Sequence, residues 1–180
     1  MKIVSNLLSD ILLLKPDMTS TKECIEFSLS DCELADVGIT SRFVQNNESQ
    51  SVKNVLRGLH YQIQHPQGKL IRVVSGAIFD VAVDLRRSSD SFGKYTSFEL
   101  SEKNGLIAWV PPGHAHGFYV IGNNAQVLYN VTEYRFPEFE RTLLWCDPAL
   151  GIDWPINSEV PFISDKDAVG LRFRDIEVYN

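Results

Sequence analysis

The stretch Gly76-Ala-Ile-Phe-Asp-Val-Ala-Val-Asp-Leu-Arg86 decides the fold, because apolar and polar side chains alternate along it. Phe79, Val81, Val83 and Leu85 share one parity, and both aspartates share the other with the arginine. Successive side chains of a β-strand point to opposite faces of its sheet. The alternation therefore predicts a strand with one face in a hydrophobic core.

Similar short apolar runs recur along most of the chain. A serine-rich turn that ends at Gly93 leads to a run at residues 95–100, as in a hairpin or meander. Gly76 and the Gly-Asn-Asn of residues 122–124 are among the turn signals that we expect to separate other strands. Those strand candidates are residues 55–59, 70–74, 107–110, 118–121 and 125–132. Seven or more closely spaced strands predict a mainly-β fold, a sandwich or barrel of jelly-roll type.

Helices are predicted only as short elements at the edges of the sheet. Residues 33–37 can form about one turn before Gly38. The segment Ser164-Asp-Lys-Asp167 opens like a capped helix, with Ser164 as the N-cap.

Length and composition predict one domain over residues 1–180, since 44% hydrophobic residues suffice for one core. Neither a signal peptide nor an apolar run of about 20 residues is evident, so we expect a cytoplasmic protein without a membrane partner. A net charge of −6 disfavours nucleic acid, although a local basic cluster could bind an anionic small molecule. Three cysteines without C-x-x-C spacing predict buried or unreactive thiols.

His60 is the first candidate for chemistry, because a histidine titrates near neutral pH and can act as a general base. Arg57, Gln62 and Lys69 place polar and cationic groups around it. Strict strand parity separates Arg57 from His60, so both reach one pocket only if Gly58 marks a bulge. The alternative is a hydrogen-bonded structural histidine.

A second pattern, Gly105-x5-Pro111-x-Gly113-x2-His116, matches the second signature of the cupin superfamily up to its histidine. Metal cupins add a His-x-His pair and a glutamate. His114 and His116 could supply two ligands from one strand face, but no acidic residue at matching spacing stands out near His60. We therefore predict no metal, and we expect His116 to orient groups or bind a ligand.

Tyr129 shares the parity of Val127 and Val131, which predicts that it faces inward. A buried tyrosine usually belongs to the core, but it could also donate a proton opposite a base such as His60. An aspartate that holds the other ring nitrogen of the histidine would fix its tautomer. The candidates for that aspartate are Asp80, Asp84 and Asp167.

Five motifs carry a family resemblance that covers about residues 43–168. They are Asn54-Val-Leu-Arg-Gly-Leu-His60-Tyr-Gln, Gln67-Gly-Lys69-Leu-Ile-Arg-Val, Gly76-x-Ile-Phe-Asp-Val-Ala-Val-Asp-Leu-Arg, Trp109-Val-Pro-Pro-Gly-x-Ala-His116-Gly-Phe and Leu144-Trp-x-Asp-Pro-x-Leu-Gly-Ile-Asp-Trp-Pro155. Together they resemble the dTDP-4-dehydrorhamnose 3,5-epimerase family. The resemblance implies a cupin-type jelly-roll homodimer that binds a nucleotide-linked 4-keto-6-deoxyhexose without a metal or cofactor. Residues 1–42 then form a divergent N-terminal part and residues 156–180 a peripheral C-terminal part.

The resemblance also implies roles for individual residues. It makes His60 the base, Asp167 its partner, Lys69 the cation beside the sugar ketone, and Tyr129 the acid. The remaining pocket residues that it implies are Arg57, His116, Tyr134, Gln45 and Asn47, and Gln62 is a further candidate.

The N-terminal region departs from the family pattern and leaves the nucleotide open. Relatives carry an Asp-x-Arg-Gly-Phe-Phe-x-Glu type stretch where this chain has Thr21-Lys-Glu-Cys-Ile-Glu-Phe-Ser28. Lys22 could supply a charge for the phosphates, without the bidentate fork of an arginine. Thymidine is the expected nucleoside of the substrate, and cytidine, guanosine and uridine are alternatives.

Four alternative functions remain at this point, and one of them is a metal-dependent dioxygenase or isomerase. A sugar-nucleotide 3,4-ketoisomerase would use a similar histidine base, and an epimerase could invert only one of the two carbons. A non-catalytic sugar-binding cupin is the alternative from another class.

Overall fold

The structure is a computed structural model that describes residues 1–180 except Ser9, residues 21–24, Ser28 and residues 157–159. Among the described residues, nine strands form one antiparallel sheet and two short strands form a separate hairpin. The strands are β1 (Lys2–Leu7), β2 (Ile11–Lys15), β3 (Met18–Ser20), β4 (Ile25–Phe27), β5 (Gln45–Val52), β6 (Leu56–Gln62), β7 (Lys69–Asp84), β8 (Tyr95–Ser101), β9 (Ile107–Val110), β10 (His114–Val131) and β11 (Glu140–Thr142). The prediction of a mainly-β fold is confirmed.

The helices are short and lie outside the sheet. They are α1 (Asp31–Asp36) and α2 (Asp165–Ala168), with 3-10 turns at Pro137–Phe139 and Phe173–Asp175. Ser30 forms a capping box with Glu33 at the start of α1. As predicted, Ser164 caps α2, with its hydroxyl 3.2 Å from the backbone nitrogen of Asp167. No helix in the part of the chain that is described is long and apolar enough to cross a membrane.

Two long strands, β7 and β10, lie at the centre of the large sheet and pair with each other over most of their length. The prediction that Gly76 and residues 122–124 end strands is wrong, because both strands continue through these positions with shifts of register. Gly76 has a φ of 80°, and a Cβ there would lie 1.9 Å from the carbonyl oxygen of Asn124. Glycine thus lets the two strands bend around each other without separating.

Both faces of β7 are buried, so the expectation of a single core face is also wrong. Ile78 and Ala82 lie in a cluster inside the curved sheet, with Phe118 and Val127 of β10. The other parity, which includes Val81, packs under the C-terminal region. That second cluster includes Val83, Leu85, Leu143, Leu150 and Trp154, with Ile163, Phe173 and Tyr179 against it. The local sequence pattern cannot show that this face is covered, because the covering residues, from Leu143 onward, are distant from β7 in the chain.

Candidate active site

The candidate site begins where β6 crosses β10. His60 pairs with His116 and Arg57 with Phe118, so three steps along β6 match two steps along β10. Since paired residues point to the same side of a sheet, this shift brings Arg57 and His60 to one face. Gly58 makes the shift sterically feasible: its φ is 105°, and a Cβ there would lie 2.7 Å from Cα of Gly117. The sequence left open whether Gly58 marks a bulge, and the structure has one there.

His60 and Asp167 form the closest polar contact of the site. The Nε2 atom of His60 lies 2.5 Å from Oδ1 of Asp167, and the backbone nitrogen of Gly58 donates to Oδ2 at 3.3 Å. Burial raises the pKa of Asp167, but the hydrogen bonds from His60 and Gly58 outweigh it and hold this pKa below its usual value. The aspartate therefore stays ionised and holds Nε2, which leaves Nδ1 as the second ring nitrogen.

Of the three aspartates considered as partners, the other two are engaged elsewhere. Asp84 accepts hydrogen bonds from the side chains of Arg86, Ser89 and Ser91. Asp80 lies with both carboxylate oxygens, at 2.9 and 3.0 Å, against Nε2 of His116. His116 is thus a buried pocket residue whose orientation is fixed by a fully buried carboxylate.

Lys69 is the first residue of β7 and lies beside His60 and His116. Its Nζ donates to the carbonyl oxygen of His60 at 3.5 Å. Burial lowers its pKa to about 8, whereas the negative charges of Asp80 and Glu140 oppose that shift. A lysine in this setting is protonated at neutral pH, and its charge is only partly solvated.

Tyr129 faces inward, as its parity predicts, and packs against the interior cluster. It pairs with Ile71 on β7. Since Ile71 is two residues from Lys69, the tyrosine and the lysine lie diagonally on neighbouring strands and share a face. On its other side Tyr129 pairs with Asn47 of β5.

The remaining predicted residues are distributed around the pocket. Gln45 is exposed and donates to the side-chain oxygen of Asn47 at 2.6 Å. Tyr134 is 54% exposed, and Arg57 is exposed on the face that carries His60. Lys22 lies outside the described residues.

Gln62 has a structural position that sequence reasoning did not anticipate. It is buried, and its side-chain nitrogen donates to the carbonyl oxygens of His65 and Tyr134, at 2.8 and 3.2 Å. Its side-chain oxygen accepts from the backbone nitrogen of Phe136 at 2.7 Å. Gln62 thus fastens the loop that carries Tyr134.

The described part of the chain contains no group of three or more His, Cys, Asp or Glu side chains that could hold a metal ion. The two histidines of the His-x-His pair do not converge. His116 is bonded to Asp80, while Nδ1 of His114 lies 3.0 Å from the carbonyl oxygen of Pro111. Cys32 and Cys146 are free and exposed, so burial, one of the two predicted alternatives for the thiols, does not hold for them.

Sequence reasoning missed a charged cluster beside the site, formed by Arg135, Glu140 and Lys166. Glu140 accepts from Lys166 at 2.8 Å and from Arg135 at 2.8 Å. In the sequence these are isolated charges in polar segments. The register of β11 against β6 places Glu140 opposite Gln62, and Arg135 and Lys166 join it there through their ion pairs.

Fold and site together define a cupin-type jelly-roll protein with a histidine–aspartate pair next to a half-buried lysine. A family model described as dTDP-4-dehydrorhamnose 3,5-epimerase matches residues 6–175. The chain belongs to this family, which confirms the resemblance found in its sequence motifs.

Individual relatives agree with this assignment. The epimerase of Methanothermobacter thermautotrophicus is 39% identical over 99% of this chain and 97% of its own length. That of Neisseria gonorrhoeae is 44% identical over 98% of this chain, which spans about half (54%) of that relative. The crystal structure of dTDP-6-deoxy-D-glucose-3,5-epimerase from Legionella pneumophila, in complex with dTDP-4-keto-L-rhamnose, aligns with a TM-score of 0.93. It is 40% identical, and the alignment covers 98% of this chain and 94% of that one.

Proposed function

We propose that this chain is an isomerase that inverts carbons 3 and 5 of a dTDP-linked 4-keto-6-deoxyhexose, in the synthesis of a rhamnose-type deoxysugar. The observation that carries the proposal is the His60–Asp167 contact of 2.5 Å with Lys69 beside it. These three groups supply a base, the anion that orients it, and a cation for an enolate oxygen. Family membership supports the same reaction.

The chemistry follows from the C4 ketone, which acidifies the hydrogens on both neighbouring carbons. Because Asp167 holds Nε2, His60 removes such a proton with Nδ1. The electron pair of the broken C–H bond forms the enolate and places negative charge on the C4 oxygen, where the ammonium of Lys69 stabilises it. The bound sugar needs no other electron acceptor.

Inversion requires that the proton return from the opposite face of the sugar. Tyr129 donates its hydroxyl proton to the carbon, and the electron pair on the enolate oxygen returns to restore the ketone. The phenolate and the imidazolium then exchange protons with solvent before the second carbon reacts. Product and substrate have the same composition, so the reaction consumes no cofactor.

The polar residues at the open side of the pocket serve the rest of the substrate in this proposal. Asn47 and Gln45 approach the nucleotide, Arg57 faces the diphosphate, and Tyr134 lines the sugar site. The inward face that Asn47 and Gln45 share with Tyr129 supports this arrangement. We also propose, from the family resemblance, that the chain acts as a cytoplasmic homodimer. Light scattering on the purified protein gives the number of subunits and so tests the dimer.

The direct test is conversion of dTDP-4-keto-6-deoxyglucose in deuterium oxide, followed by NMR of the product. Deuterium at carbons 3 and 5 with inverted configuration at both, and the carbonyl still at carbon 4, is the expected result. A carbonyl at carbon 3 would identify a ketoisomerase, and label at one carbon a single-centre epimerase. Absence of label and turnover with the dTDP, CDP, GDP and UDP sugars would indicate a non-catalytic protein.

A further inference from the structure

Gln62 lies on β6 two residues after His60, but its side-chain amide has no donor left for a substrate. An amide nitrogen carries two hydrogens. In Gln62 they are donated to the carbonyl oxygens of His65, at 2.8 Å, and of Tyr134, at 3.2 Å. Gln62 is also only 4% exposed. Any effect of this residue on a bound molecule therefore passes through the loop that it holds.

Hydrogen bonds from side chains fix the backbone on both sides of Tyr134. Before it, Nε2 of Gln67 donates to the carbonyl oxygen of Glu133 at 2.8 Å, and the carboxylate of Glu133 accepts from the backbone nitrogen of Tyr134 at 2.8 Å. After it, Gln62 binds the carbonyl oxygen of Tyr134 and accepts from the backbone nitrogen of Phe136 at 2.7 Å. Two glutamines thus clamp the backbone of this loop.

The side chain of Tyr134 is not fixed in the same way, since this residue is 54% exposed. Other rings of the same region are packed: the ring centroid of His65 lies 4.6 Å from that of Phe136 and 5.7 Å from that of Phe139. The position of the tyrosine ring therefore depends on its backbone. An aromatic side chain with few rotatable bonds on a rigid backbone needs little ordering when a ligand contacts it.

Resting on the proposed function, we propose that Gln62 and Gln67 are positioning residues that hold Tyr134 ready for the substrate, and that they determine binding rather than the rate of proton transfer. The contact between His60 and Asp167 lies outside this loop. Loss of the clamp frees the backbone at the tyrosine, so its ordering must then occur on binding. That ordering weakens the complex and leaves the proton-transfer groups in place.

The test is the affinity for dTDP-glucose, an analogue that lacks the ketone and cannot react, measured by titration calorimetry. Gln62→Met fills a similar volume without the amide, and we expect its Kd to rise on the order of 10-fold. Gln67→Ala removes one hydrogen bond and should raise Kd about 3-fold. Gln64→Ala, at an exposed position in the same segment, is the matched control and leaves Kd unchanged.

A structural role and a positioning role differ when the ring of Tyr134 is absent. In the Tyr134→Ala background, Gln62→Met and Gln67→Ala should have no further effect on Kd, because the side chain that they position is gone. In turnover of the 4-keto sugar nucleotide, each glutamine variant should raise KM by the same factor as Kd and keep kcat within about twofold. Gln67 is half-buried, so Gln67→Ala decides the question if Gln62→Met fails to fold.

Weakening of the same size with and without the ring of Tyr134, or none in either glutamine variant, overturns the inference. So does a fall in kcat with KM unchanged. The predicted changes of Kd in a protein that does not invert its sugar would support the clamp and refute the proposed function. If the unaltered protein does not bind dTDP-glucose, both fail.

Discussion

Nε2 of His60 lies 2.5 Å from Oδ1 of Asp167, although 107 residues separate the two in the chain. The contact depends on the bulge at Gly58 and on α2, whose capping residue Ser164 fixes the start of the helix. The sequence contains a local signal for both features: a glycine at the position of the bulge and a serine at the N-cap of α2. Their meeting point follows only from the folded chain.

The first prediction concerns Asp167, the carboxylate that is hydrogen-bonded to the proposed base His60. Asp167→Asn keeps the shape of the side chain but removes the charge that stabilises an imidazolium. We expect proton exchange into the substrate to fall on the order of 100-fold or more. Asp165→Asn, in the same helix but exposed, is the matched control and should retain the rate. Equal rates for Asp167→Asn and Asp165→Asn would remove the aspartate from the mechanism.

The second prediction is that Lys69 serves catalysis at the expense of stability. Burial lowers its pKa from the ordinary 10.5 of a lysine to about 8, so at pH 7 folding moves a charge into a half-buried position. Lys69→Met should therefore raise the free energy of unfolding at pH 7 by about 1–2 kcal/mol while it lowers turnover.

The pH dependence of this effect has a definite sign. Between about pH 8 and 10.5 the unfolded chain binds more protons at this residue than the folded chain, so the unaltered protein gains stability as pH rises. The advantage of Lys69→Met should shrink over this window in urea unfolding. If the extra stability of Lys69→Met stays constant or grows as pH rises, then folding does not lower the pKa of Lys69.

The third prediction separates proton removal from proton delivery. Tyr129→Phe deletes the proposed donor but leaves His60, Asp167 and Lys69 in place. We expect deuterium to enter from the face of the base while inversion falls at least 100-fold. NMR of the recovered sugar distinguishes the two, with Tyr95→Phe as the control outside the pocket. An unchanged rate of inversion would require another acid.

The fourth prediction concerns the backbone at the crossing of β6 and β10. Gly58→Ala places a methyl group 2.7 Å from Cα of Gly117 at a φ of 105°, and we expect a loss of about 2–5 kcal/mol in the free energy of unfolding. Gly151→Ala is the control, since its φ is 60° but no atom lies within 4 Å of the added carbon. It should lose about 1 kcal/mol. Similar losses in thermal or urea unfolding would show that strain, rather than close approach, dominates.

The sequence predicted the parts of this site that depend on local pattern. The alternation around Asp80 and Val81 identified a strand, the parity of Tyr129 placed it inward, and the Ser164 cap located α2. The family resemblance also named Asp167 and Lys69, which both contact His60.

The predictions that failed concern features that depend on long-range packing. Residues 122–124 have the composition of a turn, but β10 continues through them. Asn124 pairs with Val52 of β5, while β7 pairs with the residues before and after this segment. Local pattern gives no sign that the C-terminal region covers the second face of β7, or that Asp80 is the partner of His116 rather than of His60. Glu140 escaped notice because a single acidic residue in a polar segment carries no periodic signal.

The most direct test of the central claim is proton exchange by His60→Ala with and without added imidazole, followed by NMR of a 4-keto-6-deoxy sugar nucleotide in deuterium oxide. If His60 is the base, exchange at carbons 3 and 5 falls on the order of 1,000-fold, and imidazole restores part of it in proportion to its concentration. Exchange by His60→Ala at the rate of the unaltered protein, without imidazole, would contradict the account.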